Sequence, residues 1–407
     1  MSSESLVTIY IPCRNYGNFL TQSVESVFNQ SYTNWELVII NEASDDNTSE
    51  IAKGLCEREP KKTTFIDNKK PLGLQKLANL VLSQANGKYM MRLDADDWLD
   101  ENALLLLVTK LESSDDLGLV FGNYYYTNQE GSVIGVETSF EENVGASLSK
   151  IPPHGACTLF RTRALKTVGG YSEDVNAQDG WDLCYKLSNR IGATSIRTPV
   201  FYYRQHSESL SKDNERLLNA RSKIFENVGK KLEGDYTPTV LAVIPVKESY
   251  PDFEGVPYIK INGVSLLEHS IKNASKSKKV TQITVMSESQ KVLDFSKSLI
   301  AEGKVCKHRL IKREKIKKSK NIPIRDFMAL AGDDYFEEHK TYPDIIIFLS
   351  MHAINRKKDH IEKALNVLRV TEGDSVVSVE EEREPMFSYS KSGLELINPG
   401  RFQDLIF

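Results

Sequence analysis

Short apolar runs alternate with amphipathic stretches along the first hundred residues of the chain. The runs are rich in β-branched residues, as buried strands are, and the stretches between them carry apolar residues at helical spacing. The predicted strands are Leu6–Ile11, Leu37–Ile40, Thr64–Asp67 and Tyr89–Leu93. The predicted helices are Phe19–Asn29, Thr48–Arg58, Gly73–Gln84 and Glu101–Leu111. This alternation predicts an α/β domain with a mostly parallel, Rossmann-like sheet flanked by helices.

The same alternation restarts after a break at Gly234–Pro238, which follows a predicted helix over Asn214–Leu232. The later predicted strands are Val240–Ile244, Gln282–Met286, Asp344–Leu349 and Ser375–Val379. The later predicted helices are Leu266–Ser275, Gln290–Glu302, Ile324–Glu338 and Asp359–Arg369. The pattern predicts two α/β domains, residues 1–234 and 239–407, joined by a linker at 235–238.

Composition and length agree with two globular domains. The chain has 407 residues, more than the roughly 250–300 that one core supports. Its 52 basic and 56 acidic residues give a net charge of −4, which argues against a general nucleic-acid binder. The basic run Lys307–Lys320 is interpreted as a solvated loop, since charge runs usually are.

The sequence also bears on cellular location. No apolar run approaches the ~20 residues of a membrane helix, and Met1–Tyr10 lacks the layout of a signal peptide. The five cysteines form no C-x-x-C pair. These features favour a cytoplasmic protein, with peripheral association at the inner face of the membrane left open.

Three carboxylates, Asp94, Asp96 and Asp97, directly follow a predicted strand. Ligands of doubly wound sheets bind where strands end. Carboxylates this close repel one another unless a cation compensates, and a hard divalent cation would also bind diphosphate oxygens. The alternative is a polar turn in which Asp97 or Asp100 caps the next helix.

A second polar segment, Asn41–Thr48, follows another predicted strand and leads into a helix. The Glu42 carboxylate could accept hydrogen bonds from a base or a ribose. From this segment alone, helix capping by Asp45–Thr48 is the favoured interpretation.

Taken together, ordered segments from about Val7 to Ser211 resemble the inverting GT-A glycosyltransferases of family two. The segments that carry the resemblance are Val7–Asn15, Asn41–Thr48, Leu93–Trp98, Pro153–Ala156 with Gly169–Tyr171, Gln178–Leu183, and Tyr203–His206 with Ser209 and Ser211. The resemblance implies a GT-A nucleotide-diphospho-sugar transferase fold. It also implies sugar transfer with inversion at the anomeric carbon.

The resemblance assigns roles to individual positions. Asp179 would be the catalytic base, and Asp96 with His206 would hold Mn²⁺ or Mg²⁺. The donor nucleotide would contact Pro12, Arg14, Asn15, Glu42, Asp94 and Ala95. The acceptor side would comprise His154, Gly155, Trp181 and Asp182. Non-functional interpretations of these residues stay open. His206 could be exposed and without a role, and Asp182 could face solvent. His154, Trp98 and Trp181 could serve in packing.

The implied donor is a nucleotide diphosphate sugar, with a UDP-sugar favoured, and the implied acceptor is a glycan or glycoprotein. Synthesis of a bacterial surface polysaccharide or glycoprotein would be the setting. Glu42 and Ala43 stand where the family usually has Asp and Gly, which leaves the donor's base open. A homo-oligomer is possible.

The second half resembles cytidylyltransferases that activate nonulosonic acids and related keto sugars, a nucleotidyltransferase-like fold. The resemblance lies in Val240–Lys247, Lys260–Ile271 and Ile283–Ser289. The nucleotide loop after the first strand has no glycine before Gly255, although such loops use free backbone N–H groups. We therefore expect an incomplete, non-catalytic domain. One alternative is a bifunctional enzyme that also activates a keto sugar with CTP, and another is a non-catalytic nucleotide-binding assembly module.

Overall fold

The computed structural model describes residues 4–138, 154–188, 191–206, 213–232, 237–250, 253–313, 324–371, 373–379, 387–390 and 393–396. Among these residues, no helix combines the length and apolar character needed to cross a bilayer.

In the described part of the chain, nine strands form the first sheet. They are β1 (Val7–Cys13), β2 (Trp35–Glu42), β3 (Thr63–Asn68), β4 (Tyr89–Arg92), β5 (Trp98–Leu99), β6 (Leu117–Thr127), β7 (Val133–Glu137), β8 (Leu159–Arg161) and β9 (Gly192–Arg204). Their order is β3-β2-β1-β4-β8-β6-β9-β5, with β7 paired to β6. The first four strands in this order are parallel, as the α/β alternation predicts.

Seven helices accompany this sheet among the residues that the structure describes. They are α1 (Gly17–Phe28), α2 (Thr48–Arg58), α3 (Leu74–Gln84), α4 (Ala103–Glu112), α5 (Thr162–Thr167), α6 (Asp179–Ser188) and α7 (Asn214–Leu232). Strand residues such as Ile9, Leu37 and Met91 are fully buried beneath them. The predicted elements before residue 112 are confirmed, with ends that differ by at most two residues.

The middle of the chain adds the antiparallel part of the sheet. Strand β8 is antiparallel to both β4 and β6, whereas β9 runs parallel to β6 and antiparallel to β5. The pairing of β5 with β9 brings residues 94–99 beside the end of β9, so His206 lies close to the acidic segment.

The second half of the chain builds a separate four-stranded parallel sheet. Its strands and the flanking hairpins are β10 (Val240–Val246), β11 (Ser249–Tyr250), β12 (Phe253–Glu254), β13 (Lys260–Ile261), β14 (Val264–Ser265), β15 (Gln282–Ser287), β16 (Arg309–Lys312), β17 (Ile345–Phe348), β18 (Phe387–Ser390) and β19 (Gly393–Leu396). The sheet order is β16-β15-β10-β17. Its helices are α8 (Leu266–Ser275), α9 (Gln290–Ala301), α10 (Ile324–His339) and α11 (Lys358–Val370).

The predicted strand Ser375–Val379 is wrong. This segment has no strand or helix, and Val377 and Val379 are 77% and 89% exposed. Valine favours strands only where a neighbouring strand and a buried face accept it. Among the described residues, no strand neighbours this segment, and its five residues are exposed.

Helix α7 joins the two halves of the chain. Its residues Ile224 and Val228 belong to one hydrophobic cluster with Val175 and with Val370 of α11. The larger cores beneath the two sheets do not share residues.

Candidate active site

A buried arginine occupies the carboxyl end of β4. Arg92 is 5% exposed, and its Nη1 donates a 2.5 Å hydrogen bond to Oδ2 of Asp179. Its Nε lies 2.9 Å from Oδ1 of Asp94 in a second ion pair. Burial alone would lower the pKa of the Arg92 guanidinium, but the Asp179 and Asp94 carboxylates outweigh it and hold that pKa well above its ordinary value. Arg92 therefore stays charged and links the two acidic residues.

Asp179 is the first residue of α6, where the partial positive charge of the helix N-terminus favours a carboxylate. Gly155 lies directly beside it. A Cβ atom at position 155 would stand 2.6 Å from Oδ1 of Asp179 and 3.1 Å from Nη2 of Arg92. The absence of a side chain at position 155 thus allows the Asp179 carboxylate and the Arg92 guanidinium to pack this closely against the backbone.

Asp96 and His206 meet across the β5–β9 pair. Oδ2 of Asp96 is 2.9 Å from Nε2 of His206, and both side chains are largely buried. The His206 ring packs edge-on against Tyr16 and near Phe19. Burial raises the pKa of Asp96, the Asp94 charge raises it further, and the contact with His206 partly offsets both.

Asp97 does not cap a helix. Its Oδ1 accepts a hydrogen bond from the backbone N–H of Arg204, and its buried Oδ2 has no hydrogen-bond partner among the described residues. The helix that follows has Asn102 as its N-cap, and Oδ1 of Asp100 accepts the N–H of that residue. Burial, with the charges of Asp96 and Asp94, raises the pKa of Asp97.

Arg204 fixes the acidic turn. Its guanidinium lies 4.7 Å from the rings of both Phe19 and Trp98, and its Nε donates to the backbone oxygen of Asp96. Trp98 also stacks on Tyr202, with ring centres 5.0 Å apart. These contacts agree with a packing role for Trp98.

These residues fit a divalent cation. Three carboxylates lie within four residues, and burial and mutual repulsion raise two of their pKa values. The described part of the chain holds no group of three or more acidic, histidine or cysteine side chains placed to bind a metal. One or two carboxylates suffice for Mg²⁺ where diphosphate oxygens and water complete the coordination.

Glu42 is buried at the end of β2, and its oxygens accept hydrogen bonds from the N–H groups of Leu72 and Gly73 at 3.0 Å. The amide of Asn68 also donates to it. The carboxylate therefore fixes the loop that leads into α3. This loop contact was not expected from the sequence.

The remaining predicted donor residues lie at the carboxyl end of β1 and in the acidic turn. Pro12 lies in β1, Arg14 is exposed, and Ala95 is buried. Asn15 has a left-handed backbone, with φ of 60°, and its Oδ1 accepts the N–H of Asp45. The loops after β1 and β2 are thus tied together.

On the helix-capping question, Asn47 is the N-cap of α2 and makes no side-chain cap bond. The first turn is instead bound by Asp46, which accepts hydrogen bonds from the N–H and hydroxyl of Thr48 and from the N–H of Gly17. The capping interpretation thus holds for Asp46.

The predicted acceptor-side residues have different surroundings. His154 is packed among Tyr124, Phe201 and Tyr203, and burial lowers its pKa. Asp182 is buried, so the solvent-facing alternative is wrong. It accepts the N–H of Ser172 and forms an ion pair with Lys186 at 2.6 Å.

Trp181 is half-buried, with the Arg221 guanidinium 4.7 Å from its ring centre. This contact agrees with the packing interpretation of Trp181. It also ties helix α6 to helix α7.

The structure therefore brings Asp94, Asp179 and Gly155 together around Arg92, and Asp96 together with His206. The sequence reasoning missed Arg92. The available signal was a charge at the end of the predicted strand Tyr89–Leu93, where every other residue is apolar or aromatic.

The chain is similar in sequence to a known protein family. Residues 8–169 match the family described as Glycosyl transferase family 2. The match includes Arg92, Asp94, Asp96 and Gly155, and it ends before Asp179.

Two curated relatives come from Pasteurella multocida. A chondroitin synthase of strain Pm70 is 29% identical over 214 residues, which are 53% of this chain and 22% of that protein. A hyaluronan synthase is 30% identical over 199 residues, which are 49% of this chain and 20% of that protein. The aligned part of the chain thus spans about a fifth of the length of either relative.

Among solved structures, S. aureus TarS 1-349 in complex with UDP-GlcNAc has a TM-score of 0.46 and 16% sequence identity to this chain. The similarity covers 56% of this chain and 67% of that one.

Proposed function

We propose that the chain is an inverting glycosyltransferase that moves a sugar from a nucleotide diphosphate sugar to a hydroxyl group of a glycan or protein acceptor. The Arg92 bridge carries this proposal, because it joins the presumed donor carboxylate Asp94 to the presumed base Asp179 in one buried site. The family two match over residues 8–169 supports it.

In the proposed reaction, the acceptor O–H gives its proton to Oδ1 of Asp179 as the oxygen bonds to the anomeric carbon. The bond from that carbon to the donor diphosphate breaks, and the nucleoside diphosphate leaves from the opposite face. Arg92 holds Oδ2 of Asp179, which leaves Oδ1 as the oxygen that would accept the proton. General-base assistance of this kind typically contributes ~10²–10⁴-fold in rate.

Asp96 and His206 would hold Mn²⁺ or Mg²⁺, and Asp94 would face the ribose or the water shell of the cation. When bound, the cation supplies positive charge to the departing diphosphate. Pro12, Arg14, Asn15 and Ala95 would line the nucleotide site, with Glu42 acting through the loop it holds.

The test is a transfer assay with UDP-sugars first and GDP-sugars second, on the full chain with manganese. Asp179→Asn should lower kcat by ~10²–10⁴-fold with donor binding retained, because the base is lost and the nucleotide site is not. The matched control is Glu57→Gln, which neutralises an exposed carboxylate on α2. Full activity of a folded Asp179→Asn variant would refute the assigned base.

A binding titration identifies the donor's base. UDP, GDP, CDP and CMP are each titrated with and without manganese, on the wild type and on Asp96→Ala. Manganese-dependent binding of one diphosphate that the variant loses would support the donor site. No binding of any of these nucleotides would contradict it.

For the second half, we propose a cytidylyltransferase-like domain over residues 239–407 that no longer catalyses transfer. Its parallel sheet supports this fold, and the glycine-free segment after β10 supports the loss of activity. Pyrophosphate release from CTP and a keto acid would contradict that loss. If CMP binds without manganese and still binds to Asp96→Ala, the nucleotide site lies in the second half of the chain.

A further inference from the structure

The backbone takes an unusual conformation directly before the proposed base. Gln178 has φ of 57°, in the left-handed region that few residues other than glycine and asparagine adopt. The carbonyl oxygen of Gln178 accepts the N–H of Trp181 in the first turn of α6. The conformation of this one residue therefore sets the direction in which Asp179 enters the site.

Helix α7 holds the loop 172–178 through polar contacts along its length. Nε of Arg221 donates to Oε1 of Gln178 at 3.2 Å, and Arg216 donates to the backbone oxygen of Asn176. The Asn227 amide donates to the Asp174 carboxylate at 3.1 Å. The contacts fall on alternate residues of the loop, so the helix fixes its path as well as its end.

Apolar packing reinforces these hydrogen bonds. Val175 and Ala177 of the loop are buried against Ala220 and Ile224 of α7. The Arg221 guanidinium, besides reaching Gln178, stacks on the ring of Trp181, which lies in α6 two residues after Asp179. Arg221 thus contacts the chain on both sides of Asp179.

We propose that Arg221 is a positioning residue for the base: by holding Gln178 in its left-handed conformation, it directs the Asp179 carboxylate toward Arg92. This inference rests on the proposed function, since it needs Asp179 to be the base. Arg221 itself does not reach the reacting atoms, so it acts on the rate and not on donor binding.

The first test compares Arg221→Ala, Arg221→Lys and the control Lys231→Ala, which removes an exposed cation from the same helix. Arg221→Ala should lower kcat about tenfold or more, since small misplacements of catalytic groups are costly. The KM for donor and the manganese-dependent binding of the diphosphate should stay within about twofold of the wild type. Arg221→Lys should recover part of kcat. An Arg221→Ala variant that is folded and has wild-type kcat would overturn the proposal.

A double-mutant cycle with Gln178→Gly tests whether Arg221 acts through the conformation of Gln178. Glycine adopts the left-handed conformation without help from a side chain, so Arg221→Ala should cost little more in the Gln178→Gly background. Additive losses would overturn the route through Gln178.

Combining Arg221→Ala with Asp179→Asn distinguishes a failure of this inference from a failure of the proposed function. In an Asp179→Asn protein, Arg221→Ala should cause no further loss of kcat. If Asp179→Asn itself is fully active, the assigned base fails. If Asp179→Asn is inactive and Arg221→Ala is not impaired, only the positioning role fails.

Discussion

Gly155 touches both charged side chains of the Arg92–Asp179 pair, so the smallest possible substitution there tests the site. In Gly155→Ala, the new Cβ would stand 2.6 Å from Oδ1 of Asp179 and must displace it. We expect kcat for sugar transfer to fall on the order of 10²-fold. Binding of the nucleoside diphosphate should be retained, because the methyl group lies at the base.

The control is Gly135→Ala in strand β7, where the nearest heavy atom to the new Cβ is 3.6 Å away. Steady-state kinetics and a binding titration on both variants make the measurement. Wild-type kcat in Gly155→Ala would mean that Asp179 can move without consequence, and it would contradict a base held at a fixed position.

At the residue scale, the sequence predicts which residues belong to the site better than it predicts their backbone conformation. Asp96 and His206 were paired through a family resemblance, and the structure places them 2.9 Å apart. Arg92 was missed because nothing local distinguishes a strand-end cation that pairs with carboxylates from one that faces solvent. The left-handed conformation of Gln178 was missed as well, since contacts with α7, over forty positions later in the chain, hold it.

Helix α7 packs on the loop before Asp179 with one part of its surface and on α11 with another. At the α11 contact, a Cβ on Gly229 would lie 3.1 Å from Oδ1 of Asn366, which Nζ of Lys279 also contacts at 3.1 Å. Asn366 is buried, so it has little room to withdraw.

Two glycine-to-alanine substitutions in helices therefore have different expected outcomes. Gly54→Ala in α2 meets no neighbour within 4 Å, and it should raise the free energy of unfolding by about 1 kcal/mol. Gly229→Ala should lose that gain or lower stability, since its methyl group presses on Asn366. Urea denaturation of both variants makes the measurement. An equal gain at Gly229 would show that α7 and α11 are not closely packed there.

At the scale of elements, periodicity predicted the strands that lie beside helices, and it failed where a strand needs a partner. Ser375–Val379 carries three valines, yet it pairs with no strand among the residues that the structure describes. The sequence predicted none of β6, β8 and β9, whose pairings join residues far apart in the chain. Local patterns contain little information on such pairings.

In the described part of the chain, one large hydrophobic core lies beneath the first sheet, two clusters pack against the second sheet, and a smaller cluster is shared through α7 and α11. Two α/β units were predictable from the repeated alternation. The contact between the two units was not predictable, because the apolar residues of α7 pack both on the loop 172–178 and on α11. Through this contact, the second unit supports the helix that holds Gln178.

His308 gives the second unit a pH dependence of its own. Its Nε2 is 2.7 Å from the Ser296 hydroxyl of α9, its Nδ1 is 2.8 Å from the Cys306 carbonyl oxygen, and burial lowers its pKa. The carbonyl can only accept, so Nδ1 carries the hydrogen and Nε2 accepts from Ser296. A second proton would place a charge on an imidazole that burial shields from water.

The sign of the effect follows from the lowered pKa. The unfolded chain binds the proton near the ordinary histidine pKa of about 6.5, and the folded chain binds it only at lower pH. The stability contribution is therefore present above that value and lost as the pH falls through the folded pKa. Urea denaturation at pH 7 and pH 5 should show a smaller acid loss in His308→Gln than in the wild type. The matched control is His360→Gln at an exposed position of α11. An equal acid loss in wild type and His308→Gln would contradict the assignment.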